Sequence, residues 1–100
     1  SLLSEKKYIS SLCIQIPHIP GKLGEVSSLI GFHENNIINM EIIAKKKDYL
    51  EFIFDIQIKD LKNYKNLISE LKVKEYKIKI IRHRKKDALL QRIFKNFKRD

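Results

Sequence analysis

The spacing of apolar residues along this chain changes back and forth between two residues and about 3.6, and that succession restricts the fold more than any single motif. Between Tyr8 and Ile16 the period is two, with Leu12, Ile14 and Ile16 on one side and Ile9, Ser11, Cys13 and Gln15 on the other. Leu23, Val26, Ile30 and His33 then fall at helical spacing, Leu29 widens the stripe, and Asn35-Asn36 supplies residues that end a helix. From Ile37 to Lys45 the period of two returns, with Met40, Ile42 and Ala44 on one face. Lys46-Lys47-Asp48 turns the chain, and Tyr49 to Ile58 sets Leu50, Phe52, Phe54, Ile56 and Ile58 inward, so the pair is predicted to be a hairpin. Asp60 is placed to cap a second helix with the stripe Leu61, Tyr64, Leu67, Ile68 and Leu71, and Tyr76, Ile78 and Ile80 alternate with Lys77, Lys79 and Ile81 in a last strand.

The order βαββαβ predicts an α+β, ferredoxin-like sandwich: one four-stranded antiparallel sheet with two helices on one face. Beyond it, Asp87 caps a C-terminal amphipathic helix with Leu90, Ile93, Phe94 and Phe97 opposite Arg92, Lys95, Lys98 and Arg99. Three segments follow: residues 1–7 as a linker from an upstream chain, 8–83 as the domain, and 84–100 as a basic helical tail. The helix-free face of the sheet would show Ile9, Cys13, Ile43, Ile53 and Ile81 among Gln15, Glu41, Glu51, Asp55, Gln57 and Lys79, too apolar to stay bare. A second copy, a neighbouring domain or the tail helix would cover it, and edge-to-edge pairing of two sheets would protect an exposed strand.

Composition removes several classes of function. The apolar share of 43% and charged share of 33% suit a globular domain, no apolar run is long enough to span a bilayer, and the first residues lack a secretory pattern, so a cytoplasmic protein without membrane attachment is expected. Cys13 is the only cysteine and has no companion at metal-ligand spacing, so neither a disulfide nor a metal nor another cofactor is expected. The chain starts at Ser1 and Met40 is its only methionine, which reads as a piece of a longer polypeptide. Net charge is +9, unevenly spread: through Ile81 there are 13 Lys against 10 acidic residues, whereas Arg82 to Asp100 carries eight cations against two acids.

His18, His33 and His83 lack a nucleophile or carboxylate that the sequence would bring to them, so no catalytic residues are expected. Gly21-Lys22-Leu23-Gly24 is too short for a phosphate loop. The last hairpin strand lacks the basic-Gly-aromatic signature of RNA-recognition motifs, and its phenylalanines are expected in the core. Lys45, Lys46 and Lys47, with Arg92, Lys95, Lys98 and Arg99, stay as candidates for contact with RNA phosphates or an acidic partner.

One corner stands apart. Pro20 presets φ for a turn, Gly21 supplies conformational freedom, and the first free N–H groups of the following helix carry the positive end of its dipole, where a carboxylate can bind. A plain strand-to-helix connection would use the same residues.

Pro20-Gly21-x-Leu23 after a first strand, then Asn36-Ile37 opening the second, resembles the ACT domain, a small-ligand-binding regulatory module. The runs Gly24 to Gly31, Asn36 to Met40 and Glu51 to Lys62 are similar to the C-terminal domain of RelA/SpoT homologues, the bifunctional guanosine tetra- and pentaphosphate synthetase/hydrolases, alphaproteobacterial ones above all. The resemblance implies a non-catalytic regulatory domain in the stringent response that senses a branched-chain amino acid, the ribosome, or both, and works as a homodimer through its sheet. It carries ligand-binding roles to His18, Ile19, Pro20, Gly21, Lys22 and Leu23, with Asn36 and Ile37 from the second strand, often across a dimer interface, and the folded chain is expected to hold the Pro20-Gly21 corner beside Asn36. Many effector-binding members have an acidic residue near the position of His18, which this chain lacks. An amino-acid-binding ACT domain of a biosynthetic enzyme and a basic ribosome- or RNA-contacting module are the alternatives.

Overall fold

A computed structural model describes residues 8–85, with side chains through Ile81. The elements run β1 (Tyr8–Pro17), α1 (Lys22–Phe32), β2 (Asn36–Lys45), β3 (Tyr49–Ile58), α2 (Leu61–Val73) and β4 (Lys77–Lys85). The strands form one sheet in the order β2-β3-β1-β4, every neighbouring pair antiparallel, so the ferredoxin-like sandwich expected from the periodicity is present. The segments expected as a linker, 1–7, and as the body of the tail helix, 86–100 with Arg92, Lys95, Lys98 and Arg99, lie outside the described residues. β4 continues to Lys85, two residues past the expected domain boundary at 83.

The core forms where the two periods meet. Leu12, Ile14 and Ile16 of β1 and Phe52, Phe54, Ile56 and Ile58 of β3 point to the side covered by Val26 and Ile30 of α1 and by Tyr64, Leu67 and Leu71 of α2. Phe52 is 3% and Phe54 0% exposed, so neither ring is available for stacking on a nucleic-acid base. One polar pair is sealed in this layer: Ser10 and Tyr64 share a hydrogen bond of 2.6 Å, which satisfies both hydroxyls, and burial raises the Tyr64 pKa.

Each helix ends in a Schellman motif. Glu34 N–H donates to Gly31 O and Asn35 N–H to Ile30 O after α1, and Glu75 N–H donates to Lys72 O and Tyr76 N–H to Leu71 O after α2. The residue in left-handed backbone is a glutamate both times, Glu34 at φ 61° and Glu75 at φ 67°, at a cost of about 1 kcal/mol each relative to glycine. Asn35 and Asn36 therefore do not supply the left-handed residue: Asn35 is buried and Asn36 already belongs to β2.

Three β-bulges shift the expected faces. Between Ile37 and Asn39 the β2–β3 register slips by one, leaving Ile38 as the extra residue and Ile37 opposite Ile56. Between Ile42 and Ala44 the β2–β3 register slips by one, leaving Ile43 as the extra residue and setting Ala44 opposite Glu51 on the helix-free face rather than inward. Between Ile80 and Arg82 the β1–β4 register slips in the same way at Ile81. Met40 and Ile42 pair with Phe54 and Phe52 as expected but stay 47% and 46% exposed, because β2 is an edge strand. The helix-free face exposes less apolar surface at its centre than expected. Ile9 and Cys13 are only 6% and 8% exposed, flanked on β1 by neighbouring strands on both sides. Burial, then Glu51, raise the Cys13 pKa, so the thiol is an unreactive strand residue.

Candidate functional site

The Pro20-Gly21 corner is built by a type II turn. Lys22 N–H donates to Ile19 O at 3.2 Å, Pro20 holds the second turn position, and Gly21 at φ 88°, ψ −11° holds the third, which requires left-handed backbone. A Cβ at Gly21 would meet nothing within 4 Å, so glycine is required there by φ and not by crowding. Gly21 then serves as N-cap of α1: its carbonyl accepts from Glu25 N–H at 2.9 Å, and no side chain caps the helix. The Leu23 and Gly24 N–H groups thus have no side-chain acceptor at the positive end of the helix dipole. His18, Ile19, Pro20, Gly21 and Leu23 are exposed and Lys22 is half-buried.

Two of the side chains expected at a ligand are engaged elsewhere. The His18 ring lies 3.1 Å from Lys46 O through Nε2, and His18 N–H donates to Asp48 O at 3.0 Å, so the corner is fastened to the β2–β3 hairpin. Lys22 Nζ turns back to Glu25 Oε1 at 3.8 Å and lies 5.9 Å from the centre of the Tyr76 ring. Tyr76 Oη donates to Glu25 Oε1 at 2.5 Å. Burial and the Glu25 carboxylate together drive the phenol pKa far above its ordinary value, and the phenol holds the Glu25 carboxyl below the usual range, helped by Lys22. Lys45, Lys46 and Lys47 are exposed on the same hairpin, so the corner and the triple-lysine turn come together. A cleft of about 350 Å³ at this end of the sheet is lined by Gln15, Pro17, Asp48, Tyr49, Glu75 and Lys77.

Asn36 and Ile37 are not part of that corner. Asn36 pairs with Gln57 while Pro17 pairs with Tyr49, and the stretch of β3 between those two levels spans about 26 Å at the usual strand rise. The expectation that one folded chain holds Pro20-Gly21 beside Asn36 is therefore corrected. The physical reason is connectivity: α1 carries the chain back along β1, so β2 starts at the end of the sheet where β1 started. Asn36 is exposed there, and Ile37 packs against the core.

His33, expected as a packing residue on the α1 stripe, caps the helix C-terminus and sits 2.7 Å from Glu70 Oε1 through Nε2, joining the two helices. The fastening of His18 to the hairpin and the Tyr76–Glu25 bond have no local sequence signal. Both depend on residues more than 25 positions apart that only the finished sheet brings together. Among the described residues no group of three or more His, Cys, Asp or Glu could hold a metal ion, and no helix is long and apolar enough to cross a membrane.

This arrangement defines the class. The structure superposes on prephenate dehydratase from Streptococcus mutans with a TM-score of 0.66 over 77% of this chain and 43% of that one, at 21% identity. It also superposes on the ACT domain of the GTP pyrophosphokinase of Chlorobium tepidum, with a TM-score of 0.57 in solution at 17% identity, covering 75% of this chain and 86% of that one. The crystal form of the same domain gives 0.56 at 14% identity over 79% and 97%. The chain thus has the fold of an ACT domain.

Sequence narrows the likeness. The GTP pyrophosphokinases rsh of Brucella ovis and Brucella melitensis are each 27% identical to it over 67 residues, which is 67% of this chain and 9% of theirs. The chain has an ACT-type fold, resembles the C-terminal domain of RelA/SpoT-type GTP pyrophosphokinases, and spans less than a tenth of the length of those relatives. No protein-family model matches the chain.

Proposed function

We propose that this chain is the regulatory domain of a bifunctional guanosine tetra- and pentaphosphate synthetase/hydrolase in the cytoplasm, inactive by itself, that binds an amino acid and biases the parent's two activities in the stringent response. The uncapped start of α1 behind the exposed Pro20-Gly21 turn is the observation that carries the reading. Unsatisfied N–H groups at a helix N-terminus suit the carboxylate of an amino acid, and the apolar Ile19 and Leu23, 56% and 38% exposed, suit a branched aliphatic side chain. Binding would act on the parent by favouring one of its two states over the other.

Asn36 joins such a site only from a second copy. Two β2 edges paired antiparallel would set the start of one strand beside the end of the other, bringing the partner's Asn36 to the corner. The β2 side chains Ile38, Met40, Ile42 and Ile43 are each more than 40% exposed, the apolar surface such an edge would bury. The superposition on prephenate dehydratase supports a second reading, an effector-binding domain of an amino-acid biosynthetic enzyme. The three lysines of the hairpin support a third, contact with ribosomal RNA.

The test is a titration of the chain with valine, leucine and isoleucine, followed by amide chemical shifts. Saturable shifts at Gly21, Leu23 and Gly24, accompanied by Asn36 only in the dimer, are expected. Silence at those amides with millimolar ligand removes the sensor. Salt-sensitive binding of ribosomal RNA that is lost when Lys45, Lys46 and Lys47 are neutralised would favour the third reading.

A further inference from the structure

We propose that residues 86–100 of this chain dock as a helix in the apolar furrow between α2 and the β4 edge, on the helix side of the sheet. The furrow follows from where each side chain falls on its element. Ile78 and Ile80 pair with Ile14 and Leu12 of the core face, so they stand on the helix side, yet Ile80 is 43% exposed because β4 is an edge strand. α1 joins β1 to β2 and α2 joins β3 to β4, so α2 is the helix nearer β4. On α2, Asn63 and Glu70 bond to Glu34 and His33 and so mark the flank that faces α1. At about 100° per residue, Leu61 and Ile68 fall on the opposite flank, toward β4. Leu61 is 59% exposed and Ile68 is half-buried. Leu61, Ile68, Ile78 and Ile80 thus form one apolar strip that no described element covers.

The occupant follows from where β4 stops and what the sequence holds beyond it. Lys85 lies opposite Tyr8, and Tyr8 lies opposite Ile58, three residues before Leu61, so the end of β4 is two strand spacings, about 10 Å, from the strand that leads into α2. Residues 86–89 bridge about 13 Å when extended, enough to bring Leu90 to the Leu61 end of the strip. Leu90, Ile93, Phe94 and Phe97 recur at the spacing of one helical stripe, and residues 87–100 as a helix would be about 21 Å long, against about 20 Å for the 13 residues of α2. A helix of that length laid beside α2 sets the stripe on the strip. Arg92, Lys95, Lys98 and Arg99 then stay in water, next to Lys65 and Lys72, which are exposed on the same flank of α2. Other apolar surfaces suit the segment less. Phe32, 77% exposed, lines the groove between the two helices with Glu70 and is reached only by crossing α2, and the centre of the helix-free face is already buried at Ile9 and Cys13. A docked helix would also shield the β4 edge from pairing with another strand. None of this depends on the ligand reading.

The experiment is methyl and amide NMR on the full 100-residue chain. Contacts from the Phe94 and Phe97 rings to the Leu61, Ile68 and Ile80 methyls are expected, with amides 91–98 exchanging about tenfold or more slower than in an unfolded segment. Leu61→Ser and, separately, Phe94→Ser should each remove most of that protection. Leu61 is exposed and Phe94 lies outside the sandwich, so the amides of Leu12 and Phe54 should keep theirs in both variants. Added salt should strengthen docking, because the charges left on the outer ridge share one sign. Freely exchanging amides at 91–98 in the wild-type chain overturn the proposal, and so does protection that survives Leu61→Ser or falls with salt. Ring contacts to Ile53 on the helix-free face, or to Phe32 between the helices, overturn it by placing the segment elsewhere. Contacts found only between differently labelled chains overturn it in favour of exchange of the segment with a second copy.

Discussion

The two helices pack on the same sheet face and end in the same motif, yet they begin in opposite ways. α2 starts at Asp60, whose extended backbone (φ −140°, ψ 124°) aims a carboxylate oxygen at Lys62 N–H, 2.7 Å away. α1 starts at Gly21 in left-handed backbone, with no side-chain cap. Extended φ and ψ are what let an N-cap side chain fold over its own helix, so left-handed backbone leaves even a polar residue at position 21 poorly aimed. One helix consumes the binding capacity of its N-terminus for stability, and the other leaves it to solvent or to a ligand. A connection selected only to join β1 to α1 would be expected to resemble the Asp60 end.

The largest expected effect comes from Gly21→Ala. An L side chain at φ 88° costs about 1–2 kcal/mol or forces the turn to rearrange, because the strain is in the backbone and not in a clash. Urea unfolding should register that loss, and amide shifts at Leu23 and Gly24 on adding valine should vanish with it. A Gly21→Ala variant as stable as wild type would show that the left-handed turn is not needed and would undo the contrast between the two helix starts. Asp60→Ala comes next, at about 1 kcal/mol, the usual cost of removing a capping carboxylate. It should leave any response to valine untouched. A change in that response would mean that the two helix ends are coupled and cannot be contrasted as independent.

The capping contrast was half legible in the sequence. Asp60 before an apolar stripe signals its role directly, and Pro20-Gly21 signals a turn of this type. The succession of strands and helices follows from periods of two and 3.6, and Leu12, Ile14, Phe52, Phe54, Val26, Leu67 and Leu71 all reach the core that those periods predict. The bulges at Ile38, Ile43 and Ile81 were hidden because a bulge inserts a residue without disturbing the count of apolar positions, yet it reverses every face beyond it. Ala44 moved to the helix-free face for that reason. The left-handed positions after each helix were hidden as well, since glutamate carries no signal for that conformation. The separation of Asn36 from Gly21 was available in principle: a helix that returns along its own strand must deliver the next strand to the far end of the sheet.

The smallest effect lies at Tyr76→Phe, and it sharpens the contrast from the other end of the first turn of α1. Glu25 is the acidic residue of that turn, yet the chief cause of its lowered pKa is the Tyr76 hydroxyl, with Lys22 helping. A carboxyl whose folded pKa is depressed stabilises the protein above its unfolded pKa, near 4.5, and loses that contribution as pH falls through the folded value. The phenol shifts the opposite way: its raised pKa contributes fully below about pH 10 and is lost as pH rises further. Removing the hydroxyl should therefore flatten both limbs of the pH–stability profile together, the acid limb only slightly because Glu25 is open to solvent. If the acid limb of the Tyr76→Phe variant kept its full steepness, the helix dipole and Lys22 alone would be holding Glu25 ionised. The uncapped N-terminus would then already be spending part of its field on its own side chain, leaving less of it for a bound carboxylate.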